Sequence, residues 1–181
     1  MIYLLLGTGF EVTEAMVPLV MMRRAGIDVC TVGINGKTVV GSRDIPIVAD
    51  ITIEEMDLTN LEGIVLPGGL GGVASIKASQ PALDAVRFAW ENGKLVAAIC
   101  AAPTALAAFG VLGGKKATVY PGMDADLTAA GASYTGLPIT IDGNIITGEA
   151  LGAAIPFALA LARTLAGADA ANKVKTAIVY Q

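Results

Sequence analysis

The sequence contains no histidine, and this absence excludes more chemistry than any other feature of the composition. Without an imidazole, the chain cannot form a cysteine–histidine or serine–histidine pair, and identical copies in an oligomer cannot supply one. Histidine-ligated zinc is excluded for the same reason, and two separated cysteines, Cys30 and Cys100, make a poor metal site. We therefore expect no bound metal and no cofactor.

Cysteines and charges are also scarce. Two cysteines among 181 residues do not make a disulfide framework, and both lie in apolar segments, which suits a reducing compartment such as the cytoplasm. Charged residues make up 15% of the chain and the formal net charge is −4. We therefore expect neither nucleic-acid binding nor attraction to an anionic membrane. The N-terminus lacks the basic flank of a signal peptide.

One uncharged stretch is long enough to span a bilayer by length alone. Lys94 and Lys115 enclose 20 uncharged residues. Pro103 and Gly110 interrupt this stretch, however, and a buried strand, a sharp turn and a helix explain it better than a membrane span. We expect no membrane-spanning segment here.

The sequence is rich in apolar residues (54%) and contains 22 glycines, as in a tightly turned α/β protein. Short apolar runs alternate with helical patterns, which predicts a parallel sheet covered on both faces, in a single domain over residues 1–181. The predicted strands are Ile2–Leu6, Ile27–Val32, Lys37–Val40, Glu62–Leu66, Leu95–Ile99, Ala117–Tyr120 and Asn144–Thr147, and Ser133–Tyr134 and Ile139–Ile141 are predicted to be extended. The predicted helices cover residues 11–25, 81–93, 103–109, 124–130 and 152–166. Pro46 places the run Ile45–Val48 at a sheet edge or outside the sheet.

The sequence changes character abruptly at Cys100. An apolar run precedes it, and an alanine-rich run with Pro103 in its first turn follows it. Strand, turn and helix in this order form a nucleophile elbow, here with sulfur in place of a serine oxygen. Unpaired amides at a helix N-terminus favour a thiolate, so the pattern predicts a lowered thiol pKa. Taken alone, the local pattern favours the simpler interpretation that Cys100 is a small buried core residue, as most free cysteines are.

Other candidate residues follow the predicted strands. Glu14, the pair Gly68–Gly69, Cys100 and Tyr120 all lie at or just past strand carboxyl ends. Ligands of open parallel sheets bind at that edge, so we expect these residues to converge on one site. Each has a simpler interpretation in isolation: Glu14 suits the first turn of a helix, and the glycines suit a plain loop.

Four sequence motifs are together characteristic of one known family: Ala97–Leu106, Leu66–Gly69, Met22–Gly26 and Ser42–Asp44. Through them the chain resembles the ThiJ/PfpI superfamily, in particular the branch of the parkinsonism-associated deglycase, from about Met1 to Lys175. The resemblance implies a flavodoxin-like three-layer sandwich, in which a mostly parallel sheet has helices on both faces. It also implies a homodimer.

The resemblance implies roles for individual residues. Cys100 matches the reactive, oxidisable cysteine, and Glu14 matches the acid that hydrogen-bonds its sulfur and is expected to keep its proton. The amides of Gly69 and Ala101 match an oxyanion site.

The remaining matched residues imply a substrate-binding region. Gly68, Tyr120, Arg24 and Arg43 belong to it, and the two arginines match residues near the site at the dimer interface. Tyr120 stands where relatives carry a histidine, and Gly148–Leu151 stands where that branch has a serine-arginine-glycine-proline run. A phenol is a poor base at neutral pH, so the protease and amidase activities of the family are excluded.

Three functions remain open at this point. The first is a glyoxalase- or deglycase-like enzyme, a hydrolase or lyase, in which Cys100 attacks a small reactive carbonyl and Glu14 moves the proton. The second is a redox sensor or stress-response protein without turnover, in which an oxidant converts Cys100 to sulfenic and then sulfinic acid. The third is a scaffold that acts through its dimer surface.

Overall fold

A seven-stranded sheet lies at the centre of the computed structural model, which describes residues 1–181. The strands of the protein are β1 Ile2–Leu6, β2 Val29–Gly33, β3 Thr38–Val40, β4 Pro46–Val48, β5 Ile51–Thr52, β6 Gly63–Leu66, β7 Leu95–Ile99, β8 Lys116–Ala117, β9 Ser133–Tyr134, β10 Ile139–Asp142 and β11 Ile145–Gly148. The order in the central sheet is β10-β11-β7-β6-β1-β2-β5. Only β10 runs antiparallel to its neighbour, so the carboxyl ends of the other six strands lie along one edge.

Helices cover both faces of this sheet. They are α1 Val12–Arg24, α2 Leu70–Ala78, α3 Gln80–Glu91, α4 Pro103–Ala108, α5 Asp124–Ala129 and α6 Ala154–Ala177. Alternate residues of β1 enter different cores, because successive side chains of a strand point to opposite faces. Leu5 packs in the core that includes residues of α2 to α5, and Leu4 and Leu6 pack in the core that includes residues of α1 and α6. This arrangement confirms the predicted α/β sandwich.

Two elements differ from the sequence prediction. The predicted strand Ala117–Tyr120 is reduced to β8, which pairs with β9 in a separate two-stranded sheet. The amide of Thr118 donates instead to the Thr147 hydroxyl, and that of Tyr120 to the Cys100 carbonyl, so no strand ladder forms there. Helix α2 was not predicted at all, because Gly71 and Gly72 fall in its first turn and glycine disfavours helix.

Helix α6 is long and apolar enough, by length and composition, to cross a membrane over Leu151–Ala177. Gly167 interrupts it with a φ of 86°, at the position where the sequence predicted the last helix to stop. Phe157 and Leu161 are fully buried in the core beside α1. An apolar helix that packs in this way is typical of the core of a globular fold, so its hydropathy is weak evidence for a membrane span.

Candidate active site

The backbone around Cys100 forms a sharp, firmly held turn. Cys100 follows β7 directly and has a φ of 65°, in the left-handed region that residues with a side chain seldom adopt. Its amide donates to the Gly148 carbonyl at 3.0 Å, and its carbonyl accepts from the Tyr120 amide at 2.9 Å. Because neighbouring segments hold the turn on both sides, the strained conformation persists and presents the thiol at the carboxyl edge of the sheet.

Glu14 reaches the same point from the first turn of α1 and is almost completely buried, with 1% exposure. One carboxylate oxygen, Oε2, accepts a hydrogen bond from the Gly68 amide at 3.0 Å. Gly68 has no side chain, and this leaves room for both reactive groups. A Cβ on Gly68 would lie 3.0 Å from the Cys100 sulfur and would overlap the Glu14 carboxylate. The glycine therefore allows the acid and the thiol to meet.

Burial dominates the electrostatics of the pair. It raises the pKa of Glu14 to about 7, although the hydrogen bonds to Cys100 and Gly68 act in the opposite direction. Burial, followed by the charge and hydrogen bond of Glu14, also raises the pKa of the Cys100 thiol to about 12. Glu14 therefore holds its proton more tightly than a solvated glutamate, and the Cys100 thiol loses its proton less readily than a free cysteine.

The direction of the thiol pKa shift corrects the expectation of a free thiolate. The amides of Ala101 and Gly69 act to lower the pKa of the thiol, as expected of an oxyanion site, but less than burial raises it. Helix α4 has six residues and begins at Pro103, so the helix dipole that the sequence suggested is short and does not start at the cysteine.

The thiol opens into a pocket of about 400 Å³. Of the predicted residues, Cys100, Glu14, Gly69, Ala101 and Tyr120 line it, and Gly68 supports it from behind. The pocket also contains residues that were not named as site residues: Glu11, Leu70, Met123, Ala150, Leu151 and Gly152. Ala150 and Leu151 belong to the run Gly148–Leu151 that differs from the family branch. No motif marks the other four, because their proximity depends on how α1, α2, α5 and α6 begin.

The two predicted arginines lie outside this pocket. Arg24 is the last residue of α1, ten residues after Glu14, which corresponds to about 15 Å of helix. Arg43 is exposed in the turn between β3 and β4, with a φ of 58°. Their contribution to a substrate site stays a prediction that needs a second copy of the chain.

The residues present do not suggest a metal centre. The structure has no group of three or more Cys, Asp or Glu side chains that could hold a metal ion. Glu11 and Glu14 are the only acidic side chains in the pocket, and Glu14 Oε2 already accepts from Gly68.

The geometry defines an α/β protein with a buried acid–thiol pair at the carboxyl edge of a parallel sheet. A sequence model described as the DJ-1/PfpI family matches residues 1–164, and the chain belongs to this family. It is 39% identical over 171 residues to protein dj-1beta of Drosophila melanogaster, covering 94% of this chain and 91% of that protein. The crystal structure of that fly protein superposes with a TM-score of 0.95 at 37% identity, covering 99% and 97% of the two chains.

Three further relatives include a deglycase and a protein whose structure was solved in an oxidized form. The Parkinson disease protein 7 homolog of Danio rerio is 37% identical over 181 residues, covering 98% of this chain and 95% of that protein. A deglycase of Pyrococcus horikoshii is 29% identical over 138 residues, covering 76% and 82% of the two chains. The structure of an oxidized DJ-1 from Toxoplasma gondii superposes with a TM-score of 0.93 at 28% identity, covering 99% and 97%.

Proposed function

We propose that this protein converts small 2-oxoaldehydes, such as methylglyoxal, by covalent catalysis at Cys100. The observation that carries the proposal is that Glu14 and the Cys100 thiol flank the same small space at Gly68, where a Cβ would lie 3.0 Å from the sulfur and would overlap the carboxylate. Burial raises the pKa of this acid to about 7. A general base is most effective when its pKa lies near the working pH. A relative from Pyrococcus horikoshii is named as a deglycase, and this supports an enzymatic role for the chain.

The first step forms a hemithioacetal. The Cys100 sulfur attacks the aldehyde carbon while its proton passes to the Glu14 carboxylate, and a carbon–sulfur bond replaces the carbonyl π bond. The amides of Gly69 and Ala101, which act to lower the pKa of the thiol, stabilise the developing oxyanion. Glu14 then returns the proton to that oxygen.

The second step isomerises the hemithioacetal to a thioester, and the third step hydrolyses the thioester. Glu14 removes the proton from the former aldehyde carbon, which gives an enediol, and returns this proton to the neighbouring carbon that was the ketone. The proton of the hemithioacetal hydroxyl ends on the former ketone oxygen, so the former aldehyde carbon becomes the carbonyl of a thioester. Hydrolysis of this thioester releases a 2-hydroxy acid and restores the thiol. The net reaction adds one water to the 2-oxoaldehyde and needs no external oxidant. In this scheme Glu14 takes the part that an imidazole would otherwise play.

The proposal is tested by incubating the purified protein with methylglyoxal at pH 7.5 and following loss of the dicarbonyl and formation of lactate by proton NMR. We expect lactate in many-fold excess over protein. A stoichiometric adduct on Cys100 without lactate would contradict turnover.

A second candidate function is oxidation of Cys100 as a signal. The amides of Gly69 and Ala101, together with a protonated Glu14, can donate to the oxygens of a sulfinate, and the Toxoplasma gondii relative has been described in an oxidized form. Mild peroxide should then add two oxygens to Cys100 in the mass spectrum. Preferential oxidation of Cys30 would count against this function.

Gly68→Ala tests whether the acid and the thiol must touch. The backbone at Gly68 is not left-handed, so the new methyl group acts through its overlap with Cys100 and Glu14. We expect turnover to fall at least about tenfold, and the free energy of unfolding to fall by about 1–3 kcal/mol, as for overpacked sites. Gly113→Ala is the matched control, because its Cβ would lie 3.8 Å from its nearest neighbour. Equal activity of the two variants would show that the contact is dispensable.

We also propose a homodimer, in a reducing cytoplasm that keeps both free cysteines reduced. Met16, Val17, Val20, Met21, Ile155 and Ile178 line a wholly apolar groove between α1 and α6. Val20, in this groove, is 50% exposed. Apolar surface of this kind marks interfaces.

Val20→Glu should convert the dimer to a monomer in analytical ultracentrifugation. The control Ile141→Glu, on the outer strand β10, should leave the dimer intact. A wild-type protein that sediments as a monomer would remove the proposed dimer, and with it the scaffold function that would act through the dimer surface.

A further inference from the structure

Three large apolar side chains stand exposed around the mouth of the Cys100 pocket. Leu70 is 71% exposed, Leu151 is 48% exposed and Tyr120 is 47% exposed, and all three line the pocket. They come from separate segments: the first turn of α2, the short turn before α6 and the loop after β8. Three unrelated segments thus present apolar surface to the same small space, and Met123 adds a fourth apolar group. Exposed apolar surface that converges on one cavity is typical of ligand-binding sites.

The pocket is also larger than the smallest substrates need. Its volume of about 400 Å³ corresponds to about thirteen water molecules at ~30 Å³ each. Methylglyoxal is much smaller, because apart from its reacting dicarbonyl group it carries only a methyl group. The space beyond the reacting atoms would stay filled with water if no larger group entered it.

Buried polar groups and exposed apolar side chains both line the pocket, and Glu11 adds a half-buried carboxyl group. Glu14 is 1% exposed, whereas Leu70 and Leu151 are 71% and 48% exposed. Leu70 and Leu151 are therefore among the walls that a substituent on a carbonyl at Cys100 can contact. Each methylene that leaves water for such a surface gains free energy by the hydrophobic effect.

Building on the proposed function, we propose that Leu70 and Leu151 form a specificity subsite for a neutral alkyl or aryl substituent on the carbonyl substrate. The preferred substrates are 2-oxoaldehydes larger than methylglyoxal, with an apolar group of several carbons. Leu70 and Leu151 determine this preference, whereas Cys100 and Glu14 act on the dicarbonyl itself.

The subsite is tested apart from turnover with a series of N-alkylmaleimides from methyl to butyl. In a Cys30→Ala background Cys100 is the only thiol. Its sulfur adds to the maleimide double bond and its proton ends on the adjacent carbon. Rates are divided by those of glutathione, which removes the intrinsic reactivity of each reagent. We expect the normalised rate to rise by up to about three- to fourfold per buried methylene. A flat series, or one that falls with chain length, would overturn the subsite.

Variants assign the effect to the two leucines. Leu70→Ala together with Leu151→Ala should at least halve the logarithmic slope of the series, and the matched control Leu137→Ala, which is 54% exposed outside the pocket, should leave it unchanged. An unchanged slope in the double variant would overturn the assignment. In turnover assays, phenylglyoxal should exceed methylglyoxal in kcat/KM. A steep maleimide series without any turnover would remove the proposed reaction alone, and a flat series with turnover would remove the subsite alone.

Discussion

Cys100→Ala should abolish the conversion of methylglyoxal, with a loss of at least about 10³-fold, in the range seen when a covalent nucleophile is removed. Alanine cannot form the carbon–sulfur bond, and the chain has no histidine that could activate water in its place. The substitution keeps a Cβ at the left-handed elbow, so the backbone conformation is preserved. The measurement is the rate of lactate formation at saturating substrate, with circular dichroism to show that the variant is folded.

Cys30→Ala provides the matched control for that experiment. Cys30 lies on β2, outside the pocket, and burial raises the pKa of its thiol. Its replacement by a small apolar residue should leave turnover within about twofold, as expected of a position away from the reacting atoms. Turnover that survives Cys100→Ala, or that depends on Cys30, would place the chemistry elsewhere.

The sequence pattern around residue 100 was sufficient to predict the sharp turn at Cys100, the strand before it and the helix after it. An apolar strand before the cysteine and a proline after it admit few other local structures. Parallel topology then brings Glu14 and Gly68 to the same edge, because strands β1, β6 and β7 are adjacent in the sheet. The alternation of apolar runs and helices was sufficient for the fold class.

Helix α2 and the outer pocket could not be predicted, for a common physical reason. Gly72 disfavours helix in isolation, yet a Cβ there would lie 2.7 Å from the Phe10 backbone. A glycine is therefore required at position 72 by close packing, although glycine disfavours helix, and a local sequence pattern cannot reveal such a contact. Leu70 opens the same helix, so its place at the pocket mouth depends on that tertiary contact.

The pKa of the thiol was predicted in the wrong direction because local sequence does not encode burial. The amides that were expected to lower it do act on the sulfur, but the desolvation of the site is stronger. The same desolvation raises the pKa of Glu14 to about 7. Desolvation therefore has two effects: it disfavours the Cys100 thiolate, and it brings the pKa of Glu14 into the range of a general base. In a chain without histidine, the buried Glu14 is thus the group in the pocket that can act as the base.

Replacing that acid should have the second large effect. Glu14→Gln keeps the shape of the side chain but cannot accept the thiol proton, and loss of a general base costs on the order of 10²–10⁴-fold. We expect the rate of lactate formation to fall within this range, whereas Glu54→Gln, which replaces an exposed glutamate on the surface, should keep full activity. Equal activity of the two variants would show that Glu14 is not the base.

The same substitution should change how stability depends on pH, and the sign follows from the direction of the shift. The pKa of Glu14 is about 7 in the folded protein against 4.5 for the ordinary group, so the folded state binds the proton more tightly. Its contribution to stability is fully present below pH 4.5 and is lost progressively as the pH rises through 7. Between pH 5 and pH 8 the wild-type free energy of unfolding should fall by about 2–3 kcal/mol relative to Glu14→Gln. Urea denaturation at both pH values measures this difference, and no histidine titrates in the interval to obscure it. Parallel pH profiles for the two proteins would mean that the pKa of Glu14 is the same in the folded and the unfolded state. The acid would then be too well solvated to serve as the base proposed here.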